Sequence, residues 1–220
     1  MVENTRGLVL RTRLLTETSL IVNWLTPTAG RLSTVAKGAL RPKSPFRGKL
    51  DLFYLAEFSF TRSRRSELHT LREMTLLKTH PRFRRDLHAL RQASYCAALL
   101  EQTTETDTPL PGMFELMLAF LNSFADEPAP TAPPCPERVF AFELRLLNEL
   151  GLEPDFKAGR VSAPTQQLVE NLLNLDWPKL ASLSPAPAQA VELRRFLHGF
   201  LIFNFGRLAR GRDAAVAGEY

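Results

Sequence analysis

Apolar and polar positions alternate with a period close to two through the first eighty residues, and with a helical period after that. Gly7–Leu14 (GLVLRTRL), Ser19–Thr26 (SLIVNWLT) and Arg31–Gly38 read as three strands rich in branched and aromatic side chains, with Pro27–Gly30 as a turn between the last two. Leu50–Thr61 (LDLFYLAEFSFT) alternates most cleanly and puts Leu52, Tyr54, Ala56, Phe58 and Phe60 on one face. Arg62–Ser66 turns the chain and Glu67–Leu77 forms a fifth strand. Five strands at short, regular spacing predict a small closed barrel. A five-stranded barrel that binds strands of nucleic acid on one face is the OB-fold.

Past His80-Pro81 the period changes. Phe83–Gln102 carries Leu87, Leu90, Ala93, Ala97 and Leu100 at helical spacing, and Met113–Phe124 forms a second apolar helix after a turn-rich break at 105–111. The proline-rich segment 127–136 is neither helix nor central strand. Helix resumes over Glu137–Leu150 and stops at Gly151, a suitable C-terminal cap. Thr165–Leu175 and Gln189–Arg210 are the last predicted helices, the latter with a stripe of Phe196, Phe200, Phe203 and Leu208 expected to face a core. The fold class is therefore α+β and multidomain: an OB-fold barrel over 1–79 and an all-α body over 80–220.

Charge divides along the same line. Residues 1–80 hold 14 Lys and Arg against 6 Asp and Glu, a surplus larger than the +5 of the whole chain, so the remainder is net acidic. The surplus peaks between Gly30 and Lys49, where Arg31, Lys37, Arg41, Lys43, Arg47 and Lys49 occur with no acid among them. Gly38, Pro42, Pro45 and Gly48 mark a mobile loop, and Phe46 is a candidate platform for stacking a base. Arg62, Arg64 and Arg65 add a second cluster on a neighbouring turn. Cations around an aromatic fit phosphate contact with little reading of base sequence, and so point to DNA or RNA. The competing reading is a non-enzymatic adaptor whose basic head docks an acidic protein, with DNA binding incidental.

Catalytic motifs are missing from the sequence. Gly48-Lys49 lacks phosphate-loop spacing, the four histidines are scattered, and Cys96 and Cys135 have no C-x-x-C partner. No catalytic residue, metal site or cofactor is expected. No apolar run approaches a membrane span and the N-terminus lacks signal-peptide character, which predicts a cytoplasmic protein. On the last predicted helix and just past it, Arg194, Arg195, Arg207, Arg210 and Arg212 surround the stripe that holds Phe200 and Phe203. An arginine-rimmed apolar groove there would suit an acidic peptide ending in a carboxylate.

Several motifs resemble the bacterial RecO family. They are Gly7-Leu8-Val9-Leu10, Glu17-Thr18-Ser19, Thr26-Pro27, Gly30-Arg31, Ala36-Lys37-Gly38-Ala39 with the following Arg-Pro-Lys-Ser, Leu71-Arg72-Glu73 and, more weakly, Leu146–Pro154. The resemblance implies an OB-fold head that binds single- and double-stranded DNA and anneals complementary strands in recombinational repair. It implies RecR as a partner, displacement of single-stranded-DNA-binding protein (SSB) through its C-terminal tail, help in loading RecA, and association with the nucleoid. Many members carry a four-cysteine zinc site after the L-G-x-x-P motif. Here 155–164 reads DFKAGRVSAP without a cysteine, as in the branch that lacks zinc.

Overall fold

A computed structural model describes residues 2–124, 135–156, 161–180 and 182–217. Strands β1 (Val2–Leu14), β2 (Leu20–Thr26), β3 (Gly30–Ala36), β4 (Leu55–Thr61) and β5 (Leu68–Lys78) close into a barrel in the order β1-β2-β3-β5-β4. β3 and β5 run parallel and every other pair is antiparallel. That is the OB-fold connectivity expected from the sequence. β1 is long enough to serve two neighbours, pairing with β4 over Val2–Leu8 and with β2 over Leu8–Leu14, with an irregularity between Val9 and Arg11 that bends it around the barrel.

The barrel interior follows the strand period. Val9, Val22, Trp24, Leu32, Ala36, Ala56, Phe58, Phe60 and Leu71 form one buried cluster. Trp24 stacks on Phe58 at 4.1 Å, and its indole N–H, which would be costly to bury unpaired, donates to Thr34 Oγ1 at 2.9 Å. β4 begins at Leu55 rather than Leu50, because Phe53 takes a positive φ of 62° and the chain turns there. Ala56, Phe58 and Phe60 keep the face that alternation assigned them, while Leu50 and Tyr54 pack at its margin and Leu52 is half-buried.

The chain packs as two compact units, one of Met1–His80 with Thr104–Leu118 and the other of Pro81–Thr103 with Ala119–Tyr220. The sequence boundary near residue 80 did not foresee that 104–118 joins the barrel unit. Gly30 shows why its approach is close: at φ 63°, a Cβ there would lie 1.7 Å from the Thr108 carbonyl oxygen.

The helices are α1 (Leu87–Thr103), α2 (Pro111–Asn122), α3 (Pro136–Glu149), α4 (Ala163–Asn174), α5 (Trp177–Leu180), α6 (Pro187–Phe205) and α7 (Arg212–Ala215). Five of them open on proline or carry it in the first turn, where the missing N–H costs nothing. α1 starts later than its apolar period suggested, because Asp86 accepts the His88 and Ala89 amides and caps the helix there. Of the two predicted irregular segments, 127–134 and 157–160 lie outside the described residues.

In the helical unit, Arg212 of α7 donates to both carboxylate oxygens of Glu143 at 2.7 and 2.9 Å, and Tyr95 of α1 donates to the same Glu143 at 2.5 Å. All three side chains are buried, and burial together with the Glu143 charge raises the Tyr95 phenol well above its ordinary pKa. Removing one partner strands the other's charge in the core. Arg212→Met is expected to cost about 3–5 kcal/mol in urea unfolding, whereas Glu143→Leu with Arg212→Met recovers much of that loss.

A candidate nucleic-acid interface on the barrel

The loop from Lys37 to Tyr54 leaves β3 as a chain of tight turns. Amides of Ala39, Arg41, Ser44, Arg47 and Lys49 donate in succession to the carbonyls of Ala36, Gly38, Arg41, Ser44 and Phe46, each three residues back. The loop expected to be mobile is built of successive hydrogen-bonded turns. Phe46 explains the order: it is 7% exposed and belongs to the same buried cluster as Trp24 and Phe58. The ring is an anchor in the barrel core and is not an open stacking platform.

Around that anchor Lys37, Arg41, Lys43 and Arg47 are exposed and Lys49 is half-buried. Among the described residues none of the five forms an ion pair. Five uncompensated cations within 13 residues make a strongly positive surface.

Arg31 and Arg62 were grouped with them in the sequence and are otherwise employed. Arg31 donates from Nε to Thr104 Oγ1 at 2.8 Å and from Nη2 to the Thr104 carbonyl. Its own carbonyl accepts the Asp107 amide at 2.8 Å. Arg62 bridges Glu3 at 2.9 Å and Asp107 at 2.5 Å. Its hydrogen bond outweighs partial burial and holds the Glu3 carboxyl below the ordinary range. The two arginines clasp 104–107 onto the barrel. Arg64 and Arg65 remain exposed, but not beside the basic loop. β5 starts opposite Ser33, so their turn flanks the beginning of β3 while the basic loop departs from its end.

The outer face between those ends carries cations that the sequence reading counted but did not place. Arg11 pairs in register with Asn23, and Asn23 with Ser33; Arg13 pairs with Ile21, and Ile21 with Val35. Since Val22, Trp24, Leu32 and Thr34 point inward, Arg11 and Arg13 point outward beside Lys37's row. A cleft of about 890 Å³ crosses β1, β4 and β5 and is bounded by Pro45 and Phe46 of the loop. Glu57 and Glu73 line it beside Arg72, which donates to Thr61 Oγ1 at 2.7 Å, and its Arg6 is held by Glu115 at 2.6 Å. Acids there repel phosphate, so the β1–β2–β3 face is the better polyanion surface.

On α6 the buried stripe is Ala190, Leu193, Leu197 and Leu201. The phenylalanines expected in the core lie off it. Phe156, Phe196 and Phe200 pack on one another, with centroids 4.9 and 5.9 Å apart, and Phe203 is 87% exposed. The helix ends at Phe205, because Gly206 turns left-handed at φ 73°, so Arg207 and Arg210 lie beyond it and are exposed. Arg194 faces Asp213 at 3.6 Å, and Arg195 lines a separate cleft with Glu192 and Ser162. The proposed set thus divides into Phe200, Phe203, Arg207 and Arg210 at one end of α6, and Arg194 and Arg195 further back. Arg212, also grouped with these arginines by its position in the sequence, is the buried partner of Glu143.

No group of three or more potential metal ligands gathers among the described residues. Burial raises both thiols, Cys135 to about 11, which leaves neither as an activated nucleophile.

The family model for the recombination protein O N terminal matches residues 1–80, and that for its C terminal matches 84–162. A DNA repair protein RecO of Anaeromyxobacter dehalogenans is 31% identical over 214 residues, covering 97% of this chain and 81% of that protein. The chain belongs to the RecO family. The RecO proteins of Exiguobacterium sibiricum and Rhodopirellula baltica are 29% and 33% identical over 74% and 67% of this chain. Those two matches span 65% and 53% of the relatives' own lengths. The boundary between the two family models coincides with the end of β5, so the RecO N-terminal region corresponds here to the barrel strands and the basic loop.

The two readings of Phe46 separate on stability. As an anchor, Phe46→Ala leaves a cavity and lowers the unfolding free energy by about 3–5 kcal/mol, with Phe46→Leu much milder. A solvent-facing platform would leave urea unfolding unchanged.

Proposed function

We propose that this RecO-family chain is a non-enzymatic recombination mediator of DNA repair. It binds single- and double-stranded DNA on the cationic barrel surface and anneals complementary strands. With RecR, it helps exchange SSB for RecA on single-stranded DNA, working in the cytoplasm at the nucleoid. The observation that carries the reading is the set of five unpaired cations, Lys37, Arg41, Lys43, Arg47 and Lys49, on a loop fixed by a buried phenylalanine. Arg64 and Arg65 at the other end of β3, with Arg11 and Arg13 between, extend the surface.

Annealing is limited by repulsion between two polyanions. A shared positive surface replaces their counterions and lets pairing nucleate, without contacts to particular bases. Because the loop backbone is held in turns around Phe46, binding orders little backbone. For the acidic SSB tail, the α6 end with exposed Phe203 and nearby Arg207 and Arg210 offers apolar area beside carboxylate-binding groups.

The test is strand pairing between two complementary labelled oligonucleotides, bare or coated with SSB, over a salt series. The wild-type chain is expected to accelerate pairing with and without SSB, less so as salt rises. Lys43→Glu with Arg47→Glu should slow pairing by about tenfold or more at moderate salt, across unrelated sequences. Unchanged pairing by the variant would overturn the surface assignment. Tight binding to an acidic protein with no affinity for bare DNA would favour the adaptor.

A further inference from the structure

A second feature of the same barrel surface is apolar. Leu14 is 68% exposed, and Leu15 and Leu40 are each 45% exposed. They gather at one end of the barrel, because the Leu40 amide donates to Thr18 O at 2.9 Å and the Gly38 amide to Ser19 Oγ at 3.1 Å, tying the basic loop to the β1–β2 turn. Between turn and loop lies a cleft of about 490 Å³. Leu15 and Val35 line its apolar part, while Lys37 and Arg41 stand on its rim.

Arg41 lies over a glycine. Its side chain folds across Gly38, where a Cβ would come within 3.2 Å of Arg41 Cδ, and Gly38 has φ 63°. A side chain at 38 would strain the turn and crowd the arginine.

We propose that this cleft seats one unstacked nucleotide of single-stranded DNA, its base against Leu15 and Val35 and its phosphate between Lys37 and Arg41. The inference rests on the DNA-binding reading and adds a preference to it. An apolar wall flanked by two cations matches an apolar ring joined to an anion, and the volume falls within the ~300–1,000 Å³ of small-ligand clefts. No acid lines the cleft, which also argues against a basic ligand. A base in a duplex is stacked and paired, and entering the cleft would cost both interactions. The seat therefore selects single strands, while the surrounding cations hold any phosphate backbone.

The experiment compares the full chain's affinity for a labelled oligothymidylate with that for a strand of equal length built from abasic sites. The wild type is expected to bind the thymidylate about tenfold more tightly, as loss of base contacts would cost. Leu15→Ala should narrow that ratio to about twofold while leaving the abasic affinity unchanged. Equal wild-type affinity for the two strands would overturn the seat and leave the DNA reading standing. No affinity for either strand at low salt, with binding to polyglutamate instead, would overturn both. A tenfold ratio left intact by Leu15→Ala, or by Leu15→Asn should the first variant fold poorly, would place the base contact elsewhere and overturn the seat as well.

Discussion

Like charges at close spacing repel, and the basic loop of this barrel holds five of them without an acid to relieve the strain. What opposes that repulsion is apolar. Phe46, in the middle of the cations, is drawn into the barrel core, in one buried cluster with residues of all five strands, and successive turn hydrogen bonds tie the backbone on either side. Burial of one ring is worth roughly 2–3 kcal/mol, which is comparable to the repulsion among exposed, solvated cations. Much else follows from this anchor: the cations have positions, the loop stays tied to the β1–β2 turn, and the cleft beside Arg41 has a shape before any ligand arrives.

The barrel was largely legible because its signal is local. A period of two in β4 and the glycines and prolines between segments suffice to place five strands and to suggest their closure. Strict alternation would have set Arg11 and Arg13 on the inward face with Val9; the irregularity between Val9 and Arg11 turns them outward, and it leaves no mark in the sequence. The role of Phe46 was not legible, as an aromatic among cations has one sequence and two possible directions. Nor were those of Arg31 and Arg62. Their partners, Thr104, Glu3 and Asp107, are brought near by tertiary packing, and the excursion of 104–118 to the barrel leaves no periodic trace.

The helical unit teaches the opposite lesson about hydrophobicity. α6 is apolar on more than one side, so a stripe of phenylalanines looked like its core face, while Ala190, Leu193, Leu197 and Leu201 are what it buries. Phe203 is left in solvent. A charged residue makes the converse move: Arg212, at the end of the chain among exposed arginines, is buried against Glu143 and Tyr95. An exposed phenylalanine and a buried arginine are both departures from composition-based expectation. The first belongs to the surface proposed above for the acidic tail, and the second fixes a four-residue helix that has little stability of its own.

The central claim is that DNA lies along the cationic face formed by the basic loop and β1–β3, and not in the larger cleft lined by Glu57 and Glu73. Amide hydrogen exchange, with and without a saturating oligonucleotide, tests it most directly. The account predicts slowed exchange across residues 37–49 and 11–13, with none across 57–59 and 73–75. Protection confined to the acidic cleft, or absent from the basic loop, would contradict it.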